Sequence, residues 1–122
     1  MRLSGSVAAL SAEVELMLLL PSGSSLPLSF LIDTGFLGGL ALPEETIQTL
    51  GLRPLGQTEA TLAGGSVRVS MVYEARLAWD AGVLRVAALA MGDRPLLGTA
   101  LLEGLHLGID FIEGGAVTLT PL

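Results

Sequence analysis

Apolar residues in the first third of the chain form two runs separated by a polar turn. Residues 14–20 are almost entirely apolar and end at the cluster Pro21-Ser22-Gly23-Ser24-Ser25, after which residues 26–32 are mainly apolar again. Gly, Pro and Ser between two apolar runs are typical of a turn, so this pattern predicts a β-hairpin. The returning strand leads directly into Asp33-Thr34-Gly35.

A short helix is predicted at residues 43–50. Pro43 suits the first helical turn, because proline lacks the backbone N–H that would have no partner there. Glu44 and Glu45 favour the positive end of the helix dipole. Gly51 supplies the signal for the helix to stop.

The rest of the chain has the pattern of short strands. Residues 59–63 and 66–72 flank Gly64-Gly65, which predicts a hairpin with a two-residue turn. Many short strands joined by glycine-bearing turns indicate a small all-β barrel or sandwich, and the chain length fits one domain at residues 1–122. The further predicted elements are strands at residues 73–79, 83–91, 105–112 and 116–120, and a short helical segment at 99–104.

Composition narrows the classes of partner. The 122 residues are 51% hydrophobic and 15% charged, with a formal net charge of −6. The excess of acidic residues argues against binding to nucleic acid, which depends on Lys and Arg beside the phosphates. A small domain exposes much surface for its volume, so part of the apolar excess is expected in a subunit interface. The chain has no cysteine, which excludes disulfides and thiolate chemistry.

The sequence predicts neither a membrane span nor a metal site. The uncharged residues 16–32 contain Pro21, Gly23 and Pro27, so they do not form a spanning helix, and the expected location is the cytoplasm. His106 is the only histidine in the chain. A metal site needs three or four ligands, so we interpret His106 as an ordinary strand residue.

Asp33 is the strongest candidate for chemistry. It follows an apolar run that ends at Ile32, where a carboxylate would be partly desolvated, and Gly35 would allow a ligand to approach the backbone closely. Hydrolysis of a peptide bond needs both a base and an acid, which two carboxylates sharing one proton can supply. The chain offers one such Asp. The simpler alternative is that Asp33 only caps a turn.

The residues around Asp33 belong to a longer pattern. Phe30-Leu31-Ile32-Asp33-Thr34-Gly35 places apolar residues before Asp-Thr-Gly, and Leu96-Leu97-Gly98 places two apolar residues and a glycine before a short helical segment. The hairpin Ala63-Gly64-Gly65-Ser66 lies between them. In these ordered features the chain resembles retropepsin-like aspartic proteases. In residues 33–43 and 96–111 it resembles their small, single-lobe prokaryotic branch.

This resemblance implies a closed-barrel, all-β protomer with one or two short helices, acting as a homodimer on peptide or protein substrates. Asp33 from each protomer would activate a water molecule between them. Thr34 would make hydrogen bonds between the subunits, and Gly35 would face the substrate backbone. The segment Ala63-Gly64-Gly65-Ser66 would be a flap that closes over the substrate. No metal, nucleotide or organic cofactor is implied.

Three residues depart from the pattern of the retroviral enzymes. Phe36 stands where they have a small residue, and it would fill a binding pocket or an interface. Leu37 and Thr99 stand where they have an acidic residue and an arginine that pair with each other. These departures leave two other hypotheses open: a peptide-binding or oligomerisation module without turnover, and a structural barrel in which Asp33 caps a turn.

Overall fold

The computed structural model describes residues 1–61 and 64–122. It contains ten strands and two short helices within these residues. The strands are β1 (Leu3–Ala8), β2 (Ser11–Leu19), β3 (Ser25–Ile32), β4 (Leu40–Leu42), β5 (Arg53–Thr61), β6 (Val67–Trp79), β7 (Gly82–Ala90), β8 (Leu96–Leu97), β9 (Leu105–Ile109) and β10 (Ala116–Pro121); the helices are α1 (Glu44–Leu50) and α2 (Thr99–Leu102). The all-β expectation with two short helices is therefore confirmed at this level.

Six strands close into a ring. Backbone pairing runs from β2 through β3, β8, β4 and β7 to β6, and Leu18 of β2 pairs with Leu77 of β6 to complete the circuit. One edge of β2 pairs with β1 near its start and with β6 near its end. The remaining strands extend the sheet on both sides, β5 beyond β6, and β10 and β9 beyond β1.

Alternation along β2 explains which face points into the ring. Ala12, Val14, Leu16 and Leu18 are buried, while the residues between them are partly or fully exposed. Successive side chains of a strand point to opposite faces, so this period of two buries one face of β2. The buried side chains belong to one core with residues of the other ring strands and with Ile47 of α1 and Leu119 of β10. The residues from the ring strands include Phe30, Leu40, Leu42, Leu77 and Leu97.

The predicted hairpin and helix are confirmed with small shifts in their ends. β2 and β3 pair antiparallel from Glu13 opposite Leu31 to Leu19 opposite Ser25. In α1, Pro43 is the N-cap residue, and Gly51 ends the helix in a left-handed conformation with φ of 67°. Among the described residues, neither helix has the length and apolar character needed to cross a membrane.

The described register at the Gly64-Gly65 hairpin differs from the one predicted for a regular two-residue turn. Thr61 pairs with Val67 in the last described pair of this hairpin. Five residues lie between these two partners, and Gly64 is the middle one. A two-residue turn at Gly64-Gly65 would instead place residue 61 opposite residue 68. Gly64 and Gly65 have φ of 89° and 85°, and longer hairpin loops commonly accommodate such left-handed glycines.

The terminal strands pair with each other within one chain. Leu3 of β1 lies opposite Leu119 of β10, and Ser6 lies opposite Ala116. Because β1 also pairs with β2 and β10 also pairs with β9, both edges of each terminal strand are occupied. The open edges of the described sheet belong to β5 and β9.

Candidate active site

Asp33 lies immediately after β3, where the chain leaves the ring. Residues 31 and 32 of β3 pair in parallel with Leu96 and Leu97 of β8. The backbone N–H of Asp33 continues this ladder by donating to the carbonyl oxygen of Leu97 at 2.9 Å. The two motifs found in the sequence are therefore adjacent in space, and the second motif fixes the backbone of the first.

The Asp33 side chain shapes the loop that follows it. Its Oδ1 atom accepts a hydrogen bond from the backbone N–H of Gly35 at 2.9 Å, and its carbonyl oxygen accepts one from the N–H of Phe36 at 3.1 Å. Asp33 thus caps a turn, as the simpler hypothesis predicts. The carboxylate is half-buried, and within the described residues only its Oδ1 atom accepts a hydrogen bond. Thr34 and Gly35 are exposed beside it.

Gly98 lies where the two motifs cross at close range. A Cβ atom at this position would collide with the carbonyl oxygen of Gly38 and would lie 2.7 Å from that of Phe36. Real Cβ atoms essentially never approach within 3.0 Å of another heavy atom. The glycine of Leu96-Leu97-Gly98 is therefore required by packing, since its φ of −98° is open to any residue.

The start of α2 binds the loop after Asp33 through backbone hydrogen bonds. Gly98 N–H donates to Gly39 O at 2.8 Å, and Thr99 N–H donates to Phe36 O at 2.8 Å. Ala100 N–H donates to Gly38 O at 3.2 Å. The Thr99 hydroxyl donates a further bond to Phe36 O at 3.3 Å. Main-chain groups thus brace this loop, where the retroviral pattern would use an ion pair between residues 37 and 99.

A cleft of about 710 Å³ opens beside this loop. One wall is the loop itself, from Gly35 to Gly39. The wall opposite comes from β5, β6 and the end of β7, with Met91 just beyond it. The lining is mostly apolar, and Glu59 is its one charged residue among the described part of the chain. The lining residues outside the loop are Thr58, Glu59, Thr61, Val72, Ala87, Leu89 and Met91.

The candidate substrate-binding residues divide into two groups. Phe36 lines the cleft and is half-buried, and Leu37 lines it with 79% of its surface exposed. Gly64, Gly65 and Ser66 are exposed at the hairpin tip and do not line the cleft. Ala63, also predicted for the flap, lies outside the described residues. The flap assignment for these four residues stays a prediction.

Sequence reasoning missed the wall formed by the strands. Glu59 in β5 and Val72 in β6 come from segments that the pattern assigned only as hairpin strands, and Thr58 directly precedes the first of them. Their place in the cleft depends on the pairing of β5 with β6, which includes a bulge between Pro54 and Gly56. No local sequence signal marks them as lining residues, because the closing of the ring brings them opposite the loop after Asp33.

No metal centre is found in the described part of the chain. No group of three or more Asp, Glu or His side chains lies close enough there to hold a metal ion. His106 is exposed on β9, where it pairs with Thr120 of β10. Asp33 and the adjacent cleft are accordingly the candidate site.

Comparisons with known proteins bear on the fold. No protein-family model matches the chain, and no curated protein sequence matches it significantly. Among solved structures, it is similar to the crystal structure of a retropepsin-like aspartic protease from Rickettsia conorii, with a TM-score of 0.61. The similarity covers 98% of this chain and 90% of that one, at 17% sequence identity. At this identity the likeness establishes a shared fold.

Proposed function

We propose that this chain is an aspartic endopeptidase that acts as a homodimer. The observation that carries the proposal is the position of Asp33, whose backbone is fixed at the end of β3 by the second motif, next to a cleft of about 710 Å³. The fold similarity to a retropepsin-like aspartic protease supports the same conclusion. In this proposal the six-stranded ring is the closed barrel of a retropepsin-like protomer.

The proposed chemistry needs a second copy of the chain. One ionised Asp33 takes a proton from a water molecule as the water oxygen attacks the carbonyl carbon of the substrate peptide bond. The partner's protonated Asp33 gives its proton to the carbonyl oxygen. When the tetrahedral intermediate collapses, the C–N bond breaks, the leaving nitrogen takes the proton that the first Asp33 accepted from the water, and a hydroxyl group of the intermediate returns a proton to the partner's Asp33. In this proposal Thr34, which is exposed beside the carboxylate, makes hydrogen bonds between the subunits.

The first test is the digestion of a diverse peptide library by the wild type and by Asp33→Asn. We expect cleavage by the wild type, detected by mass spectrometry. The cleavage rate of the variant should be lower by a factor of about 10³ or more, because an amide cannot act as general base. Asp110→Asn is the matched control, since Asp110 is exposed at the end of β9 and away from the cleft lining. Equal cleavage by wild type and Asp33→Asn would disprove the assignment.

A second test asks whether two chains share one site. Wild-type protein is mixed with about a tenfold excess of Asp33→Asn and left to exchange subunits. If each site needs Asp33 from both copies, most wild-type chains enter inactive mixed pairs, and the activity falls well below that of wild type alone. Activity that is independent of the added variant, with both proteins folded, would contradict a shared dyad.

The proposal also predicts the dependence of rate on pH. Two carboxylates held close together share one proton, and catalysis needs that proton in place. The rate should therefore be highest at mildly acidic pH and fall as the pH rises through neutrality. A rate that stays constant between about pH 4 and pH 9 would count against the dyad.

A peptide-binding module without turnover is the second candidate function. It is favoured by the pair of departures at Leu37 and Thr99, where the exposed Leu37 offers no charge and the Thr99 hydroxyl binds only Phe36 O. In that case peptides would bind in the cleft and remain intact with wild type and Asp33→Asn alike. Calorimetric binding without any Asp33-dependent cleavage would favour this alternative.

A further inference from the structure

Phe36 has a backbone that is fixed on both sides. Its N–H donates to Asp33 O at 3.1 Å, and its carbonyl oxygen accepts from Thr99 N–H at 2.8 Å and from the Thr99 hydroxyl at 3.3 Å. The position of this residue is therefore tied directly to that of Asp33.

Two glycines leave the space that the Phe36 ring occupies. A Cβ atom at Gly38 would lie 2.6 Å from the ring atom Cζ and 2.9 Å from Cε1. A Cβ atom at Gly98 would lie 2.6 Å from Cδ2. The ring thus passes over Gly98 and reaches Gly38, and any side chain at either position would displace it. Gly38 and Gly98 together form the seat of the ring, by which we mean the surface on which it packs.

Phe36 is also part of the cleft wall. Phe36 lines the cleft between Gly35, which donates a hydrogen bond to Asp33, and the exposed Leu37. A bulky ring held at this end of the cleft reduces the space for a substrate side chain close to Asp33. The retroviral enzymes have a small residue at this position, so the restriction distinguishes this chain from them.

We infer that Phe36 is a specificity-determining residue, which limits the substrate side chain next to Asp33 to a small apolar one such as Ala or Val. This inference rests on the proposed peptidase function. It follows from the seated ring, its bonds to the Asp33 turn and its place in the cleft lining. Removing the ring should open the subsite to a large apolar side chain without removing Asp33.

The test measures kcat/KM for a set of peptides that contain the same cleaved bond. Each peptide has Ala, Val, Leu or Phe at a single varied position, and positions on both sides of the bond are varied in turn. At one position, the wild type should prefer Ala or Val over Phe by about tenfold, which is typical of small size differences in an apolar pocket. Phe36→Ala should abolish or reverse that preference, and Phe36→Leu should give an intermediate result. Thermal unfolding establishes that each variant is folded.

Phe111→Ala is the matched control. It removes the same side chain from a position that is 61% exposed and outside the cleft lining. The order of preference among the peptides should then be unchanged. An unchanged order in folded Phe36→Leu and Phe36→Ala, with cleavage still dependent on Asp33, would overturn the inference and leave the peptidase function standing.

A binding experiment distinguishes the size limit set by Phe36 from the peptidase function. In the Asp33→Asn background the peptides stay intact, so calorimetry can compare Kd for the Ala and Phe peptides with and without Phe36→Ala. A relative gain of about tenfold for the Phe peptide supports the size limit even if the wild type cleaves nothing, in which case only the peptidase function is wrong. If no peptide binds or is cleaved, both proposals are wrong.

Discussion

The loop after Asp33 and the tip of the β5–β6 hairpin are both rich in glycine, for different physical reasons. In the loop, Gly38 and its neighbour in space, Gly98, leave room for the Phe36 ring and for close backbone crossings. At the tip, Gly64 and Gly65 have φ of 89° and 85°, and no described atom lies within 4 Å of a Cβ added at either. The first pair provides space, and the second provides backbone conformations that other residues rarely adopt.

The difference bears on what each region can do. Hydrogen bonds from Gly98, Thr99 and Ala100 hold the backbone of the loop after Asp33 in place. The hairpin tip is exposed, and β5 is an open edge of the described sheet. Few packed contacts are the usual property of segments that open locally. We therefore expect the loop to resist hydrogen exchange and the tip to exchange quickly.

The largest effect on stability is expected for Gly98→Ala. The new Cβ atom would collide with the backbone of Gly38 and lie 2.7 Å from Phe36 O, and neither carbonyl can move without breaking the bonds to α2. Overpacking of this kind costs about 3 kcal/mol of unfolding free energy, which chemical denaturation would measure. Gly82→Ala is the control, because a Cβ atom there meets no described atom within 4 Å. Equal stabilities for the two variants would contradict the close crossing.

Gly38→Ala is expected to have a smaller effect that a second substitution can reverse. The three atoms nearest to the added Cβ atom all belong to the Phe36 ring, so the ring must move, at a cost of about 2 kcal/mol. In the double variant Phe36→Ala/Gly38→Ala the collision is absent. The cost of Gly38→Ala should therefore nearly vanish in the Phe36→Ala background, which a double-mutant cycle measures. Additive effects would show that the ring is not seated on Gly38.

The local motifs around Asp33 could be predicted from the sequence. Asp33 and Gly98 follow short apolar runs, and a strand that ends at a glycine or an Asp-Thr-Gly turn is a local signal. The helix α1 was equally predictable, because Pro43 and Gly51 mark its two ends. These features depend on residues within a few positions of one another.

The cleft could not be predicted in the same way. Its strand wall depends on the closing of the ring through Leu18 and Leu77, and the hairpin register depends on a bulge near Gly56. Glycine is needed at position 38 because the ring of Phe36, two residues earlier, occupies the space that a Cβ atom would take. Such requirements arise from tertiary packing, and the composition of the segment gives no sign of them.

At the hairpin tip, Gly64→Ala tests the cost of an unfavourable backbone conformation, whereas Gly98→Ala and Gly38→Ala test the cost of a steric collision. Alanine at a φ of 89° is strained. A residue other than glycine in the left-handed conformation costs about 1 kcal/mol of unfolding free energy. Because Gly64 is exposed and a Cβ atom added there meets no described atom within 4 Å, the loss of unfolding free energy should be smaller than that of Gly98→Ala or Gly38→Ala. A loss as large as that of Gly98→Ala would mean that the tip is packed, and the contrast between the two regions would fail.

The smallest effect is expected for Thr99→Val, which probes how much of the loop's stability comes from a side chain. The Thr99 hydroxyl donates to Phe36 O at 3.3 Å, but the backbone N–H of Thr99 donates to the same oxygen at 2.8 Å and remains in the variant. The carbonyl therefore keeps a partner, and the loss should be about 0.5 kcal/mol, at the low end for a hydrogen bond. Thr99→Ser keeps the hydroxyl and serves as the control in the same denaturation experiment. A loss above that of Gly64→Ala would mean that the hydroxyl, and not the main chain of α2, holds Phe36 beside Asp33.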